Sequence, residues 1–111
     1  MLRINNITSE AIQRHSLVID DLDIDIILRF LPSVEIWLLD VEFEGRVLRG
    51  LKLSAGVTHI RGANMPFDFV VTIEDNSGID PFRISDFELG RCELYYVTVD
   101  DMTALRGQEV R

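Results

Sequence analysis

At 111 residues, 47% of them hydrophobic, the chain can bury one core without metal or disulfide help, and its composition excludes wholesale disorder. Its 19 acidic and 11 basic residues give a formal net charge of -8, which disfavours a nucleic-acid partner because the phosphate backbone is also negative. No stretch is apolar enough for a signal peptide or a membrane span, and the single Cys92 cannot form an internal disulfide, which suits a reducing cytoplasm.

The first regular pattern along the chain is a pair of strands. Gln13–Ile19 has strand composition, and Leu22–Phe30 alternates apolar and polar residues with a period of two. Asp20-Asp21 predicts the tight turn between them, and Pro32-Ser33 ends the second strand because proline cannot donate to a ladder. Residues 1–11 precede this pattern and are predicted to form an N-terminal arm.

A second hairpin is predicted directly afterwards. Val34–Phe43 has apolar residues on both faces in its first half and on one face in its second half. Glu44-Gly45 predicts the turn, since glycine can supply a positive φ, and Val47–Leu53 is the returning strand. Ser54–Asn64 is the least regular stretch and is interpreted as a short strand or a loop.

Extended segments continue through the second half of the chain. Phe67–Glu74 alternates cleanly, and Asp75–Gly78 is a predicted turn. Asp80-Pro81 begins a further extended piece, and Cys92–Val99 is a final strand rich in β-forming residues.

Only Asp100–Gly107 resembles a helix. We predict one or two turns, with Asp100 or Asp101 as the N-cap and Gly107 as the stop. Residues 106–111 are predicted to form a flexible tail.

The sum of these elements predicts an all-β fold. About seven or eight short strands, spaced at roughly eight to twelve residues, are typical of a small antiparallel β-barrel or sandwich. No stretch supplies the long helical crossovers that a parallel sheet needs. We therefore expect a single β domain over residues 1–111 with a short C-terminal helical turn.

Three aspartates at alternate positions raise the question of a calcium site. An EF-hand loop that starts at Asp21 would need glycine at its sixth position and an acid at its twelfth, where the chain has Ile26 and Pro32. We interpret Asp21, Asp23 and Asp25 as a solvated strand face whose charges discourage edge pairing.

The spacing of the histidines and the cysteine disfavours a zinc site, and the surroundings of the cysteine disfavour a nucleophilic role. His15, His59 and Cys92 are not at ligand spacing from one another, so no metal is expected. Cys92 lies in an apolar run next to Glu93, which disfavours a reactive thiolate. The chain also has no nucleophile elbow, phosphate loop or dinucleotide-binding fingerprint. We predict a protein that is not an enzyme and has no cofactor.

Several short motifs between Trp37 and Val97 carry a resemblance to a known family. They are Trp37–Gly45, Leu51–Leu53 with Gly56, Pro66-Phe67, Glu74–Gly78, Phe87–Gly90 and Leu94–Tyr96. In this order they resemble the small baseplate plug proteins of contractile-tailed phages, first recognised in a cyanophage. The resemblance implies a virion structural protein of the tail, assembled in the host cytoplasm and placed near the tail axis where tube, hub and spike meet. The first 21 residues depart from the family pattern.

Seven residues are candidates for an interface with neighbouring subunits. Five are apolar residues out of phase with the inner face of their strands, and two are adjacent tyrosines that point to opposite faces, so that at least one hydroxyl reaches a surface. The candidates are Ile27, Leu31, Ile36, Leu38, Leu48, Tyr95 and Tyr96. A sandwich that covers both faces in places would explain the same residues without an interface. Together with the resemblance, they predict a homo-oligomeric ring that binds other tail proteins, built most simply by strand pairing between subunits.

Two other functions stay open at this point. A small β-sandwich that binds a ligand or carbohydrate would present exposed aromatic residues beside a pocket. A hydrolase would need a cluster of perturbed carboxylates or a contact between cysteine and histidine. The negative charge is explained either by solubility or by attraction to a basic partner surface.

Overall fold

The computed structural model describes residues 1–60 and 65–109, with side chains up to Ala104. These residues form seven strands and one helix. The strands are β1 (Leu2–Arg3), β2 (Ile12–Ile19), β3 (Leu22–Leu31), β4 (Ile36–Phe43), β5 (Arg46–Lys52), β6 (Phe67–Ile73) and β7 (Cys92–Thr98), and the helix is α1 (Val99–Glu109). Neither α1 nor any other described segment is a helix long and apolar enough to cross a membrane.

The strands form two antiparallel sheets. The four-stranded sheet has the order β2-β3-β4-β5, and the three-stranded sheet has the order β1-β7-β6. The all-β prediction is confirmed. Because the two sheets are not closed on each other, the molecule has the sandwich form of the two predicted architectures.

The core lies between the inner faces of the two sheets. Phe43 of the four-stranded sheet packs edge-on against Phe67 of the three-stranded sheet, with ring centroids 5.1 Å apart. Trp37 is fully buried and packs edge-on against Phe87 at 5.3 Å. Its indole N–H donates to the carbonyl oxygen of Arg83 at 3.0 Å, so the buried polar atom of this large side chain is satisfied.

Two tight turns fix the register of the four-stranded sheet. Asp20 and Asp21 have φ of 52° and 63°, and Glu44 and Gly45 have φ of 49° and 76°. Positive φ at both central residues is the geometry of the two-residue hairpin turns that match the twist of antiparallel strands. Both turns lie where the sequence predicts them.

A bulge in β5 changes the face on which Leu48 lies. Leu39 faces Leu51, whereas Val41 faces Leu48, so β5 has one residue more than β4 between these pairs. Leu48 therefore shares the inner face with Leu51 and packs against the core. The expectation that Leu48 is out of phase with the inner face is corrected here, because a strict period of two cannot detect a bulge.

The first residues are part of the sandwich. β1 pairs antiparallel with β7, and the N–H of Ile4 donates to the carbonyl oxygen of Leu94 at 2.8 Å. Ile4 and Ile7 are buried in the core. The segment predicted as an arm over residues 1–11 is thus held by strand pairing and apolar burial, through contacts with a strand that is far away in the sequence.

Helix α1 is longer than the sequence predicts. The Asp101 N–H donates to Thr98 Oγ1 at 3.1 Å, and Asp101 Oδ2 accepts the Thr98 N–H at 3.0 Å. This reciprocal pair is a capping box, so Thr98 is the N-cap and not Asp100 or Asp101. The helix continues past Gly107 to Glu109. Of the predicted tail 106–111, residues 110–111 lie outside the described residues.

Two connections without strand or helix complete the fold. In the first, Ala55 forms an isolated parallel bridge with Val71, and the N–H of Gly56 donates to the carbonyl oxygen of Val71 at 3.0 Å. Of the predicted loop Ser54–Asn64, residues 61–64 lie outside the described residues. The second connection runs from β6 to β7, and the extended piece predicted at Asp80-Pro81 lies in it without forming a strand.

Candidate interaction surface

The outer face of the four-stranded sheet carries four of the predicted interface residues. Alternation along β3 and β4 puts Ile27, Leu31, Ile36 and Leu38 on the side opposite the core, where all four are half-buried. The register places Leu31 opposite Ile36. We call these four residues the outer apolar patch. Among the described elements, α1 contacts only strands of the other sheet, so the helix does not cover this patch.

An ion pair lies at the centre of this face. Arg29 is opposite Leu38, and its Nη2 donates to Asp40 Oδ1 at 2.9 Å. Asp40 also accepts the N–H of Gly50 at 2.8 Å and thereby holds the bulge of β5 in place. The Nε atom of Arg29 is buried and has no hydrogen-bond partner in the part of the chain that the structure describes. An unpaired buried donor costs about 1–3 kcal/mol, so an acceptor brought by a neighbour would be stabilising here.

The two tyrosines belong to the other sheet. Tyr96 is on the inner face, where it stacks on Phe67 with ring centroids 5.5 Å apart, and it is buried in the core. Its position in β7 therefore corrects its selection as a surface candidate. Tyr95 is half-buried on the outer face, and its hydroxyl donates to Glu93 Oε2 at 2.6 Å, which raises the pKa of Tyr95.

The aspartates of the first hairpin do not converge on an ion. Asp25 accepts from Ser16 Oγ at 2.7 Å and forms an ion pair with Arg14 at 3.3 Å. Asp21 and Asp23 are exposed. Over residues 1–60 and the described residues from 65 onward, no group of three or more histidine, cysteine or acidic side chains could hold a metal ion.

The histidines and the cysteine lie in separate environments. His59 donates from Nδ1 to the carbonyl oxygen of Phe69 at 2.7 Å and accepts the Ser54 N–H on Nε2 at 3.0 Å, so both ring nitrogens have backbone partners. His15 contacts Gln13 at 2.8 Å on β2, and partial burial lowers its pKa. Cys92 is buried, and that burial raises the pKa of its thiol to about 12. A thiol with this pKa is protonated at neutral pH and is a poor nucleophile.

Sequence reasoning missed the ion pair between Asp86 and Arg91, which organises the connection from β6 to β7. Arg91 Nη2 donates to Asp86 Oδ2 at 2.7 Å, and Asp86 also accepts the N–H groups of Phe82 and Arg83. Burial alone would raise the pKa of Asp86, but these hydrogen bonds outweigh it and lower the pKa to about 2. The guanidinium also lies over the Phe82 ring at 4.9 Å. The arrangement is structural, because the guanidinium N–H groups of Arg91 donate to Asp86 and to the carbonyl oxygens of Ile79 and Asp80.

An open cleft lies beside the edge strand β2. It has a volume of about 300 Å³ and separates residues 2–6 from residues 16–19. Its lining includes Arg3 and Ser16 but no aromatic side chain. A sugar-binding site needs stacking rings, so this cleft does not have the character of a carbohydrate site.

Comparison with known proteins places the chain in a family. Residues 1–100 match the family model described as "Cyanophage baseplate Pam3 plug gp18". No curated protein matches the chain. The matched family is a structural component of the phage tail baseplate, and the match includes all seven strands of the two sheets. The chain therefore belongs to the family of the cyanophage baseplate plug protein.

Proposed function

We propose that this chain is a plug subunit near the axis of a contractile phage tail, where it joins tube, hub and spike. The observation that carries the proposal is the family match over residues 1–100. Its role is mechanical, so it needs no catalytic residue and no cofactor. The subunit folds in the host cytoplasm and enters the virion with the tail, which suits its single, buried, unreactive thiol.

We further propose that several copies form a ring around the tail axis. The outer apolar patch supports this, because Ile27, Leu31, Ile36 and Leu38 place apolar surface on a sheet face that a monomer would cover with polar side chains. The unpaired Nε of Arg29 lies within the same face. A neighbour seated there would bury the patch and could supply an acceptor to this donor.

The carbohydrate-binding alternative has no supporting observation. Trp37, Phe67, Phe69 and Tyr96, which such a module would present to a sugar, are buried in the core. We therefore do not propose it.

Co-assembly tests the joining role directly. The chain is co-expressed with the tube, hub and spike proteins encoded by the same phage, and complexes are isolated through a tag on each partner in turn. We expect the chain to co-purify with the hub and to bridge it to the tube. Retention by sheath or head proteins, with no retention by tube, hub or spike, would overturn the assignment.

A further inference from the structure

The sandwich has four sheet edges among its described residues, and three of them are closed to a further strand. β6 is covered by the connection from β5, since Gly56 donates to Val71 and His59 donates to Phe69. β1 is only two residues long. Covered and very short edges are two of the ways in which proteins prevent strand addition.

The β5 edge is protected by other means. Its bulge at Arg49-Gly50 interrupts the regular ladder, and Gly50 has a φ of 72°. The strand also carries Arg46, Arg49 and Lys52 and no acidic residue. Bulges and basic side chains on an edge oppose pairing with another strand.

Edge strand β2 is long and has no bulge, and Arg14 is its single arginine or lysine, against three on β5. It runs for eight residues without proline, glycine or a bulge. The N–H of Phe30 donates to the carbonyl oxygen of Ala11, so the register places the backbone groups of odd-numbered β2 residues toward β3. The backbone groups of Ile12, Arg14, Ser16 and Val18 therefore point away from the sheet, and Ser16 and Val18 border the open cleft.

Two of the exposed residues of β2 are apolar, and they lie at equal distances from His15, near the middle of the strand. Ile12 is 73% exposed and Val18 is 74% exposed, and both lie on the outer face of the sheet. They are placed symmetrically on either side of His15. If β2 pairs antiparallel with itself about His15, Ile12 of one copy meets Val18 of the other, twice. Other symmetric registers put Arg14 opposite itself or leave these two residues opposite polar ones.

From this self-complementarity we infer that two copies of the chain pair through β2, in a two-fold contact centred on His15. The contact joins two four-stranded sheets into one continuous eight-stranded sheet. It satisfies the outward backbone groups of β2 and buries Ile12 against Val18 of the second copy.

The charges around this contact fit the same register. Arg14 meets Ser16 of the second copy, and Ser16 is paired within its own sheet with Asp25. Arg14 also keeps its ion pairs with Asp25 and Glu42 of its own copy, and these carboxylates offset its positive charge beside the two-fold axis.

The pairing rests on the β2 edge and not on the proposed tail role, and it is independent of the outer apolar patch. Two-fold pairs can be repeated around an axis, so the contact is compatible with a ring of pairs. A chain that fails to pair through β2 leaves the plug assignment intact.

Cysteine cross-linking tests the register. Within one copy, positions 12 and 18 are about 20 Å apart along the strand, too far for a disulfide. The Ile12→Cys/Val18→Cys double variant should form covalent dimers under mild oxidation, as should a mixture of the two single variants. Each single variant alone should remain unlinked, because position 12 does not meet itself. Buried Cys92 gives a low background, measured on the native chain. Equal linking in the single variants, or none in the double variant, would overturn the proposal.

A charge variant tests the contact without cross-linking. Val18→Lys should raise the dissociation constant of the pair at least tenfold in sedimentation equilibrium. Val47→Lys is the matched control, since Val47 is 45% exposed on the same face but on the protected β5 edge, and it should leave the constant unchanged. Circular dichroism verifies that both variants are folded. A native chain that sediments as a monomer, or equal effects of the two variants, would contradict pairing through β2.

Discussion

At the residue scale, the ion pair between Asp86 and Arg91 replaces regular secondary structure in the connection from β6 to β7. Asp86 is almost completely buried and accepts from two backbone N–H groups as well as from the guanidinium. Arg91 stacks on Phe82 and also reaches two carbonyl oxygens. The connection is thus held by the carboxylate of Asp86 and the guanidinium of Arg91.

Replacing the buried carboxylate tests this dependence. Asp86→Asn leaves the Arg91 charge with no buried counter-charge, and we expect a loss of about 3 kcal/mol in the free energy of unfolding. Urea denaturation measures it. The control, Asp23→Asn, changes an exposed aspartate and should shift the free energy by less than about 0.5 kcal/mol. Equal effects of the two substitutions would show that the ion pair is not a structural support.

The same carboxyl group predicts an acid-dependent loss of stability. Its pKa is about 2 in the folded chain and 3.8 in the reference state, so the folded state favours the charged form. The stabilisation is complete above pH 3.8 and is lost as the pH falls toward 2, by about 2 kcal/mol in total. Unfolding curves collected from pH 6 to pH 2 should show this loss in the native chain and a smaller one in Asp86→Asn. Parallel curves would contradict it.

At the element scale, turns and caps decide where each strand and helix ends. The two hairpins of the four-stranded sheet turn at Asp20-Asp21 and Glu44-Gly45, and their positive φ angles set the strand register. The helix begins at a capping box between Thr98 and Asp101. Each of these turns and caps is formed by residues that lie within one stretch of four in the sequence.

The cap gives a prediction about α1. Thr98→Ala removes the hydroxyl that accepts the Asp101 N–H, and we expect it to destabilise the helix by about 1 kcal/mol. Amide hydrogen exchange should be faster in α1 and unchanged in β3. The control is Thr98→Ser, which keeps the hydroxyl and should retain the native protection. Unchanged exchange in Thr98→Ala would exclude Thr98 as the cap.

The sequence predicts local features of the elements well and long-range features poorly. Alternation and turn residues place β2 to β7 within one or two residues of their observed bounds, because both signals are local. The pairing of β1 with β7 leaves no local signal, so residues 1–11 resembled an arm. The bulge in β5 inverts the alternation after Leu48, and the selection of Tyr96 failed because both faces of β7 carry large side chains.

In the candidate surface, too, the sequence predicts the features that depend on local signals and misses those that depend on long-range contacts. Ile27, Leu31, Ile36 and Leu38 could be selected from phase alone, since β3 and β4 are regular over their length. The ion pair of Arg29 with Asp40 could not, because it depends on the register between two strands. The open edge of β2 required the strand order of the complete sheet.

At the scale of the whole molecule, a small sandwich with an apolar outer patch is suited to assembly. Specific contacts between subunits need apolar area that is buried on association, and the patch on β3 and β4 supplies it. We also propose that the acidic balance of the chain attracts partners with basic surfaces. Both properties agree with a baseplate component.

A charge placed in the outer apolar patch should separate the proposed ring contact from the proposed β2 contact. We expect Leu38→Asp to remove species larger than the two-fold pair in light scattering, because the substitution replaces apolar contact area with a carboxylate that loses its hydration when the contact forms. Ile79→Asp, at an exposed apolar residue in the connection from β6 to β7, is the control and should preserve the large species. If Leu38→Asp assembles like the native chain, the patch is not the ring contact.

The central claim is that this chain is a structural plug of a phage tail baseplate. Cryo-electron microscopy of intact tails from the phage that encodes it is the most direct measurement. We expect density at the tail axis within the baseplate, between tube and spike, that accommodates the two sheets with the order β2-β3-β4-β5 and β1-β7-β6. Tails whose axial density fits other proteins completely, with this chain absent from the purified particles by mass spectrometry, would contradict the account.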